Sequence, residues 1–166
     1  MQATYQLRLL GSVQLKQAGK LVRGFESRKV IAVLGYLVVR RQGIARTHLA
    51  DLFWRKLPEA KGRANLSRVL YNLGQHLPGC IQKDYHTVHF QPPADYWLDL
   101  EAFEDHLKED SIAGLEKAVS LYRDEFMAGF YLDDCPEFET WLVTERERWL
   151  QATLRGLYKL VDYYRQ

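Results

Sequence analysis

From Tyr5 to Leu15 the apolar residues alternate, at Tyr5, Leu7 and Leu9 and again at Val13 and Leu15, with Gly11-Ser12 between the two runs. A period of two is that of half-buried strands. Lys16 to Lys20 reads as a turn and Leu21 to Phe25 as a further extended piece, so the chain opens on a small antiparallel sheet. The period then changes. Val30, Val33, Leu34 and Leu37 share one stripe of a helix from about Ser27 to Arg41, stopped by Gly43. Ile44-Ala45 adds a brief strand. Thr47 is placed to cap a short helix carrying Leu49, Leu52 and Phe53, which ends near Lys56 because Pro58 disfavours helical geometry in the residue before it. Leu66, Val69, Leu70, Leu73 and Leu77 predict a third helix, about Lys61 to His76, terminated by Pro78-Gly79. Cys80 to Gln82 and Thr87 to Phe90 flank Lys83 to His86 as a hairpin. Past Pro92-Pro93 the period is helical throughout, in Leu100 to Lys108, Ile112 to Phe126, and Pro136 to the C-terminus, with breaks at Gly129 and Asp133-Asp134.

Charge changes at the same place as the period. Up to Asp95 there are 15 Lys and Arg against 5 Asp and Glu, and from Tyr96 onward 8 against 16, so a net charge of +2 conceals halves of +10 and −8. Two domains are expected, 1–95 and 96–166, the basic one suited to a polyanion. At 47% apolar residues the chain does not read as disordered. No apolar run approaches the roughly 18 residues of a membrane span, and the N-terminus enters the alternating pattern without a leader, which predicts a cytoplasmic protein. Cys80 and Cys135 stand far apart with no spaced His or second Cys nearby, and read as buried thiols rather than a zinc site or a disulfide.

Two helices joined by a short connection, followed by a basic-tipped hairpin, suit duplex DNA: a helix fits the major groove and a hairpin reaches the adjoining backbone or minor groove. With the leucine stripe turned inward, the opposite face of the third helix holds Lys61, Ala64, Arg68, Tyr71, Asn72 and Gln75. Arg68 offers a planar fork for guanine, Asn72 or Gln75 can pair bidentately with adenine, and Ala64 permits close approach. These residues and Tyr71 are the candidate base readers. Lys61, Arg63 and Ser67 on the helix, and Lys83 and His86 at the hairpin tip, are assigned to phosphates, which position without specifying.

The segments Leu9 to Val13, Ser27 to Leu37, Leu49 to Trp54 and Ala64 to Leu73, in that order, resemble the N-terminus of SARP-type bacterial transcriptional activators. Trp97 to Phe103 and Trp141 to Arg148 are similar to their helical continuation. The resemblance covers nearly the whole chain. It implies an α+β winged helix-turn-helix domain of OmpR/PhoB type, followed by an all-α bacterial transcriptional activator domain of TPR-like helices, within which the chain is expected to end. It further implies that 61–76 is the recognition helix, 81–90 the wing, and the Trp54 to Ala60 loop, with Arg55, Lys56 and Glu59, a segment facing RNA polymerase. One position departs from the pattern: Gly74 stands where many relatives carry Arg, and costs the helix about 1 kcal/mol relative to Ala.

No phosphate-binding glycine loop, nucleophile motif or His-Glu metal pair occurs, so neither an enzyme nor a cofactor or metal is expected. The aromatics Phe126, Phe130, Tyr131, Phe138, Trp141, Trp149, Tyr158, Tyr163 and Tyr164 read as the core of stacked helices, and Asp133, Asp134, Glu137 and Glu139 as a solvated loop. The expected partners are double-stranded DNA, RNA polymerase and a second copy joined through the helical domain. The alternative is a protein-interaction adaptor, or the N-terminal module of a signalling ATPase, in which the Lys61/Arg68 face no longer meets DNA.

Overall fold

The computed structural model of the chain describes residues 3–166; Met1 and Gln2, the first residues of the stretch expected to enter the alternating pattern directly, lie outside them. The chain is a mixed α/β region followed by helices, and it forms two compact units, both discontinuous in sequence. The chain passes between units near residue 95, where period and charge change, and also after Val22, Tyr131 and Glu139.

One unit comprises residues 3–22, Asp95–Tyr131 and Thr140–Gln166. Its sheet has the order β3-β2-β1-β7, from β1 (Tyr5–Arg8), β2 (Gln14–Gln17), β3 (Lys20–Leu21) and β7 (Trp97–Leu98). The alternation sets the register: Leu7 lies opposite Leu15, and Tyr5, Leu7 and Leu15 are buried. Strand β7 pairs in parallel with β1, where helical period alone was expected; two residues are too few to register as alternation. At the start of α4 (Asp99–Lys108), the buried Asp99 carboxylate accepts hydrogen bonds from Leu9 N at 2.8 and 2.9 Å and from Leu10 N at 2.8 Å. Burial pushes its pKa up, opposed by those two amides. Helix α5 (Ile112–Leu121) stops five residues before the expected Phe126. The chain there is taken up by β1's continuation: Arg123 N donates to Leu10 O, Gly11 N to Glu125 O, and Met127 N to Leu9 O. Gly11 has a φ of +126°, and a Cβ there would meet the Arg123 side chain at 3.1 Å, so the crossing favours glycine.

Most of α6 (Pro136–Arg165) belongs to this unit. Phe126, Phe130 and Trp149 are core, as the helical spacing implied, but Tyr131, Tyr158, Tyr163 and Tyr164 are exposed. The last two hold the helix by their hydroxyls instead, Tyr163 donating to Asp110 O at 3.1 Å and Tyr164 to the Glu116 carboxylate.

The other unit contains α1 (Arg28–Arg40), β4 (Ile44–Ala45), α2 (Arg46–Trp54), α3 (Glu59–His76), β5 (Ile81–Lys83) and β6 (Thr87–Phe90), together with Leu132–Glu139. Its core joins Val30, Val33, Leu34 and Leu37 to Leu49, Phe53, Leu66, Leu70 and Leu73, the stripes read from the sequence. A three-stranded sheet, β4-β6-β5, carries the hairpin. The N-cap of α2 is Ala45, not Thr47, and makes no side-chain cap bond. Its first amide, Arg46 N, donates instead to His86 O at 2.8 Å, so the hairpin supplies part of what a cap would. Helix α3 begins two residues earlier than expected, with Pro58 at the N-cap. In the acidic stretch Asp133, Asp134 and Glu137 are exposed, as expected, but Asp134 pairs with Lys29 at 2.7 Å, Glu137 pairs with Arg55 from the first turn of α6, and Phe138 beside it packs on Phe53 at 5.3 Å between ring centroids. Both cysteines are buried and neither forms a disulfide, and burial pushes Cys135 up to about 11.

Candidate nucleic-acid interface

The leucine stripe of α3 faces the core, which turns the other side of an 18-residue helix to solvent. Lys61, Arg63, Ala64, Ser67, Arg68, Tyr71 and Gln75 all lie on that exposed side. The side chains of Lys61 and Arg68 are exposed and make no hydrogen bond or ion pair to any described residue, so their donors face water. Tyr71 is 65% exposed and its hydroxyl accepts from Gln75 Nε2 at 3.3 Å, which joins two of the expected base readers into one polar ridge.

Asn72 does not belong to this face. It is 9% exposed, and its Oδ1 accepts a hydrogen bond from Glu26 N at 3.1 Å. The segment before α1 covers that flank of α3, since Phe25 packs on His76 at 4.8 Å and the His76 ring bonds Gly24 O at 3.1 Å. Asn72 satisfies a backbone amide, and helical phase alone placed it on the wrong side of the boundary by one residue's rotation.

The hairpin brings Lys83 and His86 out beside the N-terminal half of α3, both exposed. Between them runs a groove of about 900 Å³, lined among others by Arg46, Arg63, Ala64, Ser67, Tyr85 and His86. Asp84 fixes the tip by accepting from His86 N at 2.7 Å, Thr87 N at 2.8 Å and Thr87 Oγ1 at 3.2 Å. The Thr87 and His86 amides hold its carboxyl below the ordinary carboxylate range.

Two residues of this arrangement were not anticipated. Arg46 reaches Ser67 Oγ at 3.0 Å and Asp84 O at 3.3 Å, and so touches both helix and hairpin. Tyr85 is 77% exposed at the tip, its hydroxyl 3.4 Å from Arg63 and its ring edge-on to His86. The tip was read only for its charges, which passes over a tyrosine, and Arg46 was masked by the expectation that the helix starts at Thr47.

The loop between α2 and α3 is separate from this groove. Arg55, Lys56 and Glu59 are all exposed there, Arg55 held by Glu137 and Glu59 lying 4.0 Å from Arg63. Trp54, Leu57 and Gly62 help line an adjoining cleft of about 310 Å³. Among the described residues no group of three or more His, Cys, Asp or Glu is gathered to hold a metal, and no helix is long and apolar enough to cross a membrane.

No protein-family model matches this sequence, and no curated protein matches it. The fold is similar to that of Mycobacterium tuberculosis EmbR, solved in complex with a low affinity phosphopeptide. The TM-score is 0.76 at 18% identity, over 96% of this chain and 46% of that one. The chain thus spans about half the length of EmbR, and at this identity the likeness shows the fold alone.

Proposed function

We propose that the chain is the DNA-binding part of a bacterial transcription regulator of the SARP type, a winged helix-turn-helix followed by TPR-like helices. In this reading α3 enters the major groove and the β5–β6 hairpin, as the wing, meets the neighbouring backbone or minor groove. The observation that carries it is the α3 face: exposed cationic and polar side chains beside a groove lined by Arg46 and, on the hairpin side, by Asp84, Tyr85, His86 and Thr87. Arg68 and the Tyr71–Gln75 ridge read base edges at which Ala64 allows close approach. Lys61, Arg63, Ser67, Lys83 and His86 bind phosphates. The protein acts where DNA is, in the cytoplasm.

Two protein partners complete the proposal. The α2–α3 loop presents Lys56, Leu57 and Glu59 outward beside its cleft, which suits contact with RNA polymerase. Val143, Leu150 and Leu157 recur every seven residues on the outer face of α6 and are all exposed, a stripe suited to self-association.

The test is a titration of the purified chain with random-sequence duplex at several salt concentrations. Binding should weaken linearly in log–log form, by roughly 0.9 in slope for each phosphate contacted. Absence of any salt-sensitive binding would sink the DNA reading in favour of a protein-interaction adaptor.

A further inference from the structure

Besides the long Arg63–Tyr85 contact, the hairpin tip is joined to the exposed flank of α3 by Arg46, which bonds both. One guanidinium nitrogen donates to Ser67 Oγ at 3.0 Å, and the other to Asp84 O at 3.3 Å. The backbone continues the bridge, since Arg46 N donates to His86 O, and the Ala45–Thr87 and Ile44–Val88 pairs bring β4 against β6. At the helix end Ser67 is itself held, donating to Arg63 O at 3.1 Å; at the hairpin end Asp84 is locked into the turn by three bonds from His86 and Thr87. Both acceptors are therefore fixed, and the planar fork between them has one geometry.

A hairpin of two short strands has little of its own to hold it at a set angle to a helix. We propose that Arg46 is a positioning residue that sets the hairpin against α3, and so sets which stretch of duplex the two elements read together. The inference rests on the DNA-binding reading above. It makes Arg46 and Ser67 one device: Ser67 serves as the anchor of that fork, beyond its assignment to a phosphate. A lysine retains the charge but, as a single point donor, cannot span both acceptors in the way the fork does.

The test uses the full chain with Arg46→Lys, Arg46→Met, Ser67→Ala and the Arg46→Lys/Ser67→Ala double variant, each also titrated with duplex at several salt concentrations. Amide exchange at His86 and Thr87 is measured without DNA, and motifs are selected from a random duplex library. In Arg46→Lys the hairpin amides should exchange at least several-fold faster while amides in the middle of α3 do not change. The selected motif should keep its α3-read core and lose preference at the flanking positions. At the hairpin amides the double variant should exchange no faster than Arg46→Lys, because the two residues position the hairpin through one contact. A merely structural role would slow or speed exchange throughout the unit and leave the motif unchanged in the folded fraction, which contradicts the proposal. Wild-type affinity in Arg46→Lys, with a lower salt slope only in Arg46→Met, would make Arg46 a direct phosphate contact and overturn it as well. If the wild-type chain binds no duplex, the DNA reading fails and takes the base-reading part of this inference with it. Unchanged hairpin exchange in Arg46→Lys refutes the positioning role itself, whatever the DNA result.

Discussion

Three cations of the 30-residue helix α6 and three of the 18-residue helix α3 are used differently. On α6, Arg146 donates to Phe126 O, Met127 O and Phe130 O at 2.9 to 3.0 Å and lies 3.5 Å from Glu125. Arg148 pairs with Glu145 at 3.2 Å, and Lys159 with Asp110 at 2.9 Å. On α3, Lys61 and Arg68 have no partner among the described residues, and Arg63 has only long contacts, 4.0 Å to Glu59 and 3.4 Å to Tyr85. A cation whose donors are satisfied inside the protein stabilises the fold. One whose donors face water is available to an anion that comes from outside. Formal charge alone does not separate the two kinds, and their mutational signatures should.

The largest effect is expected where the internal bonds are most numerous. Arg146→Met leaves three carbonyls without their charged donor and should destabilise the chain by about 3 kcal/mol, read as a lowered denaturant midpoint, with DNA contacts of the folded fraction unchanged. A midpoint within error of wild type would show that Arg146 is as little used as Arg68. Arg68→Ala should do the reverse, costing about 1–3 kcal/mol in affinity for a selected duplex at unchanged stability.

Gly74→Ala sharpens the contrast within α3. A Cβ there meets nothing within 4 Å, so the variant should gain about 1 kcal/mol in stability and bind DNA as before. Weaker binding would mean that the helix needs the backbone of Gly74 close to its ligand. Lys83→Ala is expected to lower the salt slope by about one and to change base preference little; an altered motif would move Lys83 from backbone contact to base reading.

The smallest effect is a pH response at the hairpin tip. The folded pKa of Asp84 lies below its unfolded value, so its contribution is present above the ordinary aspartate range and is lost as pH falls through the lowered folded value. Protection of the His86 and Thr87 amides should decline only in that acidic window, as followed by exchange. Decline already at neutral pH would contradict the role given to the Asp84 carboxylate.

Elements with a sustained period were legible from residues alone: the stripes of α1 and α3 and the alternation of β1 and β2 are where they were expected. What was hidden depends on partners distant in sequence. Strand β7 exists because β1 lies beside it, α5 ends where β1's continuation takes its backbone, and Asn72 is buried because residues 24–26 fold over one flank of α3. The exposed members of the candidate site follow from the phase of one helix. Arg46 and Tyr85 do not, because their roles arise only when the hairpin is brought against that helix. The acidic stretch 132–139 shows the same limit: the exposure of most of its carboxylates was legible, but their ion pairs with Lys29 and Arg55 were not.

The most direct test of the central claim is selection from a random duplex library with the wild-type chain and Arg68→Ala in parallel. The account predicts that the wild type enriches a short motif containing a guanine, and that Arg68→Ala loses the preference at that position while remaining folded. Enrichment of the same motif by both, or of none by the wild type, would contradict the assignment of the α3 face to base reading.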